Sequence, residues 1–167
     1  MVMLASFQAV DDAALAAIAS LDEDELVERL EELYGDDGRP RHDMDKNWDL
    51  LHFVLTGVSA SRPSENDPLS ESVVGVHAYD VEPFISVTKA TDVPRILGAL
   101  RAVDIDGLRG RCGLAAFRKH HLYPTLAETT KAEEDQLWQS IKAEFEGLLG
   151  LFETAAAGDL NGIVSIY

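Results

Sequence analysis

The chain is 167 residues long, 46% apolar, and carries a formal net charge of −16 at pH 7 with a single cysteine. That length suits one domain, and that apolar fraction a packed core rather than disorder. The charge argues against nucleic acid and against an anionic membrane surface, which recruit clustered Lys and Arg; the lone Cys112 excludes an internal disulfide and any zinc site built from several cysteines.

The acidity is uneven. Residues 1–50 hold fourteen acids and four bases, so a basic protein approaching the N-terminal third would be steered by that field. Solubility, or life in a salty cytoplasm, is the plainer account of the same charges. The opening MVMLASFQAV has no basic segment and runs into Asp11-Asp12, so it does not read as a signal peptide. No apolar run approaches the roughly 20 residues needed to span a bilayer. One thiol, expected to be a small core residue, fits a reducing cytoplasm, which is the expected location.

In chain order, residues 2–10 predict a strand. Asp11 is placed to cap a short helix over 13–19, and Asp22 to cap a second, with Glu25 three residues on as in a capping box. Leu26, Val27, Leu30 and Leu33 form the apolar stripe of that second helix. Glu23, Glu28, Glu31 and Glu32 form its outer face, and Gly35 stops it. GDDGRPRHD (35–43) predicts a loop, DMDKNWDLLHFVLTG (43–57) a third helix, and GVSASRPSENDPLS (57–70) a long polar loop suited to meet a ligand. SVVGVHAY (72–79) is compatible with a strand or a helix end. FISVT (84–88) is β-branched and predicts a strand.

A helix from Asp92 to about Val103 follows, with Pro94 in its first turn. Residues 104–119 predict short helical pieces broken near Gly110 and Gly113. The strongest periodicity is C-terminal: Leu137, Ile141, Phe145, Leu148, Leu149, Phe152 and Ala156 recur at helical steps, ending at Gly158. Close packing against another element would account for Gly147 and Gly150 inside that helix. GIVSIY predicts a last strand. Both ends are strand-like, so the expected fold is a single α+β domain, with a small mixed sheet holding both terminal strands and several helices packed on it.

The third helix raises the functional question. An α-helix turns about 100° per residue, so Asp45, Asp49, His52 and Thr56 share an arc of roughly 60°. Trp48 and Phe53 flank this strip, and Leu50, Leu51, Val54 and Leu55 lie opposite. Unpaired buried polar groups are costly, so the strip must find partners. Three readings are open. Asp45 caps or precedes the helix, Asp49 holds the His52 ring and Thr56 bonds back to a carbonyl; or the strip lines a small-molecule or divalent-metal pocket; or Trp48 anchors a protein-binding surface.

Ser59, Ser61 and Ser64 follow within reach of His52, but serines in a polar loop are commonplace. His120 and His121 are adjacent and would point about 100° apart on a helix. No phosphate loop, dinucleotide fingerprint or nucleophile elbow is present. No cofactor is implied, and the residues weigh against catalysis.

The run D-x-D-K-x-W-x-x-L-H-x-x-L-T-G, carried by Asp43, Asp45, Lys46, Trp48, Leu51, His52, Leu55, Thr56 and Gly57, is followed by Asn66, Asp67, Pro68 and Leu69. In this pattern the chain resembles the YfbM-like family, a bacterial family of unknown function. Met1 and Met3, Tyr123-Pro124 and the C-terminal helix and strand extend the likeness over most of the length. The resemblance implies a compact α+β domain and no particular activity. The acidic first helices and the Arg-Cys-Gly stretch at 111–113 depart from it.

The expected function is therefore protein–protein contact, with the acidic surface antagonising a basic partner such as a toxin. The alternative is a small-ligand-binding, metal-binding or hydrolytic protein using Asp45, Asp49, His52 and Ser59.

Overall fold

A computed structural model describes residues 2–167. Residues Ala5–Val10 form β1, which begins a few residues later than the pattern predicts. Asp11 and Asp22 cap α1 (Asp12–Ile18) and α2 (Glu23–Tyr34), their carboxylates accepting the N–H of Ala14 at 2.8 Å and of Glu25 at 3.0 Å. A short strand, β2 (Arg41–Met44), leads into α3 (Trp48–Thr56). Then come α4 (Pro68–Val74), the two-residue β3 (His77–Ala78), β4 (Phe84–Thr88) and α5 (Val93–Arg101). The short α6 (Ile105–Leu108) and α7 (Leu114–Lys119) flank a 3-10 turn, with the break near Gly110 and Gly113 as expected. The long α8 (Glu134–Gly158) and β5 (Asn161–Ile166) close the chain.

The five strands form one sheet in the order β2-β1-β5-β4-β3. The two terminal strands are neighbours at its centre, paired from Ala5 with Ile166 to Val10 with Asn161. The α+β class holds, but the sheet is antiparallel at every pairing rather than mixed. Side chains alternate across it. Ala5, Phe7, Ala9 and Val164 face one core, filled by Leu50, Leu51, Val73, Ile96, Leu100, Ile141 and Leu148. Val10, Ile85, Val87 and Ile163 face a second, smaller core under Ile18, Leu26, Leu30 and Leu33 of α1 and α2. Each Leu or Ile removed wholly from water contributes roughly 1.5–3 kcal/mol.

Three local expectations change. The segment expected as loop 35–43 runs into β2, an edge strand with Arg41 and Asp43 exposed, His42 half-buried and Met44 buried, which β1 recruits through Ser6–Asp43 and Phe7–His42. The helix expected from residue 43 begins at Trp48, because Asp43 and Met44 are already in β2 and residues 45–47 make the turn between the two. The polar loop is shorter than predicted: Asp67 caps a helix with Pro68 in its first turn, its carboxylate accepting the Leu69 N–H at 3.0 Å. In SVVGVHAY the chain is helix up to Val74 and strand at His77–Ala78, divided at Gly75.

Candidate functional site

The strip residues separate. Asp49, His52 and Thr56 share one face of α3, as the helical period requires. Asp45 does not join them: it lies before the helix, exposed, and lines an open groove of about 780 Å³ with Lys46, Asn47 and Ser140. The single seam expected from 45 to 56 therefore starts at Asp49.

The seam is inside the protein. His52 is 0% and Asp49 3% exposed. His52 Nδ1 lies 2.8 Å from the Val58 carbonyl oxygen and Nε2 2.8 Å from Ser70 Oγ. A carbonyl only accepts, so Nδ1 carries the proton and Nε2 accepts from the Ser70 hydroxyl. Ser70 Oγ in turn accepts the Ser64 N–H at 3.1 Å. Burial pushes the His52 ring below its ordinary value; the bond to Val58 and the Asp49 and Asp67 charges offset part of that. The ring is thus a neutral, doubly bonded strut.

Asp49 does not hold the ring. Its Oδ1 accepts Ser59 Oγ at 2.9 Å and the Ala60 N–H at 2.7 Å, and its Oδ2 accepts the Tyr123 N–H at 2.8 Å. Three donors on one carboxylate make up for its loss of water. Thr56 Oγ1 donates to the His52 carbonyl at 2.8 Å and accepts the Val58 N–H at 3.2 Å. Gly57, at φ 80°, then takes the left-handed turn out of the helix. Ser59 also meets Ser61 Oγ at 2.9 Å, so Ser61 joins the network from outside while Ser59 stands on Asp49.

Trp48 borders the same lock. It is 8% exposed, stacks on Tyr123 with ring centroids 5.6 Å apart, and places Nε1 3.3 Å from the Met3 carbonyl. Tyr123 Oη accepts the Met3 N–H at 2.6 Å. One helix thus ties down the N-terminal segment, the loop after α3 and the chain at Tyr123. Among the described residues no three His, Cys, Asp or Glu side chains are grouped to hold a metal ion. Cys112 is buried, and burial pushes its thiol up, away from the reactive thiolate.

A family model described as a domain of unknown function, DUF1877, matches residues 1–165. The chain belongs to that family. Protein YfbM of Escherichia coli strain K12 is 29% identical over 152 residues, covering 90% of this chain and 89% of the relative. The crystal structure of that protein of unknown function superposes with a TM-score of 0.83 at 27% identity, covering 98% of this chain and 99% of the other.

In this DUF1877 domain the signature read from the sequence divides by depth. Trp48, Leu51, His52 and Leu55 build the interior, whereas Asp45 and Lys46 face the groove. Sequence reading missed two members. Ser70, the partner of His52 Nε2, stands three residues after the Asp67 cap, and the Asp-Pro pair opening a helix was the available signal. Asn47 donates to Ser140 Oγ at 2.8 Å, while its own Oδ1 is buried without a partner; nothing in the local sequence distinguishes it.

Proposed function

We propose that this protein acts by protein–protein contact, presenting the acidic face of α1 and α2 to a basic partner such as a toxin, which it would antagonise. The observation that carries this reading is the charge of that layer. Residues 11–34 hold nine acids and one base. Glu23, Asp24, Glu25, Glu28, Glu31 and Glu32 are all exposed on α2, and the one base, Arg29, is engaged by Glu32 at 2.6 Å. The remaining carboxylates present an uncompensated negative field, which raises encounter rates with a basic surface and loses strength in salt.

The test is a pull-down with the full chain at low and at high salt, beside a variant carrying Glu23→Gln, Glu28→Gln and Glu32→Gln. The expected result is a basic protein retained at low salt, released as salt rises, and lost by the variant. No partner retained at low salt overturns the reading.

The hydrolytic alternative rests on Ser59, whose hydroxyl donates to Asp49 rather than to His52; what favours a serine–histidine pair is instead the 2.8 Å contact between His52 and Ser70, a residue outside that set. Both side chains are wholly buried, so no labelling of Ser70 by a fluorophosphonate probe is expected. Stoichiometric labelling abolished by Ser70→Ala would put that alternative first.

A further inference from the structure

A cavity of about 250 Å³ lies between α2 and the sheet, on the face away from the His52 lock. Its walls are mostly apolar: Val27 and Leu30 from α2, Ile85 from β4, and Pro83 just before that strand. Glu31 and Tyr167, both exposed, stand at its mouth.

The acids around that mouth lack counter-ions. Glu23, Val27 and Glu31 follow one another at four-residue steps, so they share one ridge of α2. Glu23 Oε1 accepts the N–H of Glu82 at 3.4 Å, which brings the exposed Glu82, the neighbour of Pro83, to the same rim. Among the described residues none of Glu23, Glu31 and Glu82 is in an ion pair. Arg41 does not supply one: it lies over the Tyr34 ring and is held by the Tyr34 carbonyl at 2.8 Å and by Asp37 at 3.7 Å. An apolar chamber in a negative collar favours an occupant that is apolar at its tip and cationic around it.

We propose that this chamber takes an aromatic side chain of the basic partner, presented by an extended segment with Lys or Arg two residues before it and two residues after it. This rests on the docking reading above and names the segment that the α2 face recognises. The size sets the anchor: a buried apolar cavity of ~150 Å³ takes benzene, so about 250 Å³ takes a phenyl ring with its methylene. The ridge sets the flanks. Glu23 and Glu31 are eight residues apart, which at the helical rise is about 12 Å. In an extended chain residues i−2, i and i+2 point the same way, and the outer two lie about 13 Å apart. The two cations therefore meet Glu23 and Glu31 while the ring between them enters beside Val27. The charges draw the segment in, and burial of the ring holds it.

The probe is the capped peptide Gly-Lys-Ala-Phe-Ala-Lys-Gly, and the readouts are calorimetry and methyl NMR on the full chain at low salt. Two control peptides replace the Phe by Ala, or both Lys by Glu. The expected result is saturable binding of the Phe peptide, of about millimolar affinity or better for a ligand this small, with shifts at the Val27, Leu30 and Ile85 methyls. The Ala peptide is expected to bind at least about tenfold more weakly, and the Glu peptide more weakly still. Glu23→Gln with Glu31→Gln should weaken the Phe peptide more than Asp24→Asn with Glu28→Gln, a pair that removes the same charge from the neighbouring ridge. No saturable binding, equal affinity for either control peptide, shifts that avoid these methyls, or equal losses in the two paired variants overturns the proposal. The docking reading is judged apart, by retention of a basic protein in the pull-down, which needs no aromatic anchor. The methyl mapping uses the unaltered chain and so decides the matter even where a variant fails to fold.

Discussion

His52 has both ring nitrogens committed to neighbours, and this has a pH consequence. Its folded pKa is lowered by burial, so between that value and the ordinary 6.5 the unfolded chain binds the proton and the folded chain does not. Stability from this group is therefore complete above about pH 6.5 and is lost as pH falls towards the folded value. His52→Gln removes the titration. The stability gap between wild type and His52→Gln, measured by urea unfolding, is expected to be widest above pH 6.5. Below that it should narrow by up to about 1.4 kcal/mol per pH unit. A gap that stays constant from neutral pH to pH 5 would contradict this. Trp48 supplies the second test at this scale. Its ring is stacked and nearly enclosed, so Trp48→Ala should cost roughly 3–5 kcal/mol by chemical denaturation. Unchanged melting would place the ring at the surface instead. The helical period brought Asp49, His52 and Thr56 together on paper. It could not supply Val58 O or Ser70 Oγ, which reach the ring through a turn and a second helix.

The elements follow their sequence signals where those signals are local. Asp11 and Asp22 cap their helices because a carboxylate at that position meets an N–H three residues on. The apolar stripe of α8 is correct in direction and slightly turned: Trp138 and Ala155 are buried, whereas Leu137, Leu149 and Ala156 are partly so. The two glycines in α8 differ. A Cβ on Gly147 would stand 2.2 Å from Cε1 of His42 on β2, while one on Gly150 meets nothing within 4 Å. Close packing explains the first only. Gly150→Ala is thus expected to stabilise by about 0.5–1 kcal/mol. Gly147→Ala should destabilise by about 1–3 kcal/mol as His42 is displaced. Thermal melts of the two variants, moving in opposite directions, check this. β2 was illegible because an edge strand needs neither alternation nor β-branched residues when a neighbour offers its free hydrogen bonds.

At the scale of the whole molecule, the paired terminal strands make the sheet a closure of the chain on itself, and α1 and α2 cover its second face with acids pointing outwards. A net charge of −16 on one domain is self-repulsive. The melting temperature is accordingly expected to rise as sodium chloride is added, most steeply up to about 0.1 M, where the screening length falls to about 10 Å. The rise should be smaller in the Glu23→Gln, Glu28→Gln, Glu32→Gln variant; an equal rise would assign it to something other than this face. Across the described residues no helix is long and apolar enough to cross a membrane, in keeping with the sequence expectation.

The sequence by itself determined the α+β class, the family signature, the caps and the acidic outer face of α2. Each depends on side chains within about one turn or one strand of each other, or on composition, and these survive without knowledge of the fold. Tertiary structure alone decided that Asp45 leaves the seam, that Ser70 completes the His52 bonds, that His42 requires Gly147, and that Gln8 Oε1 is buried without a partner. These are contacts between segments far apart in the chain, set by how the sheet and helices stack, and no local periodicity encodes them.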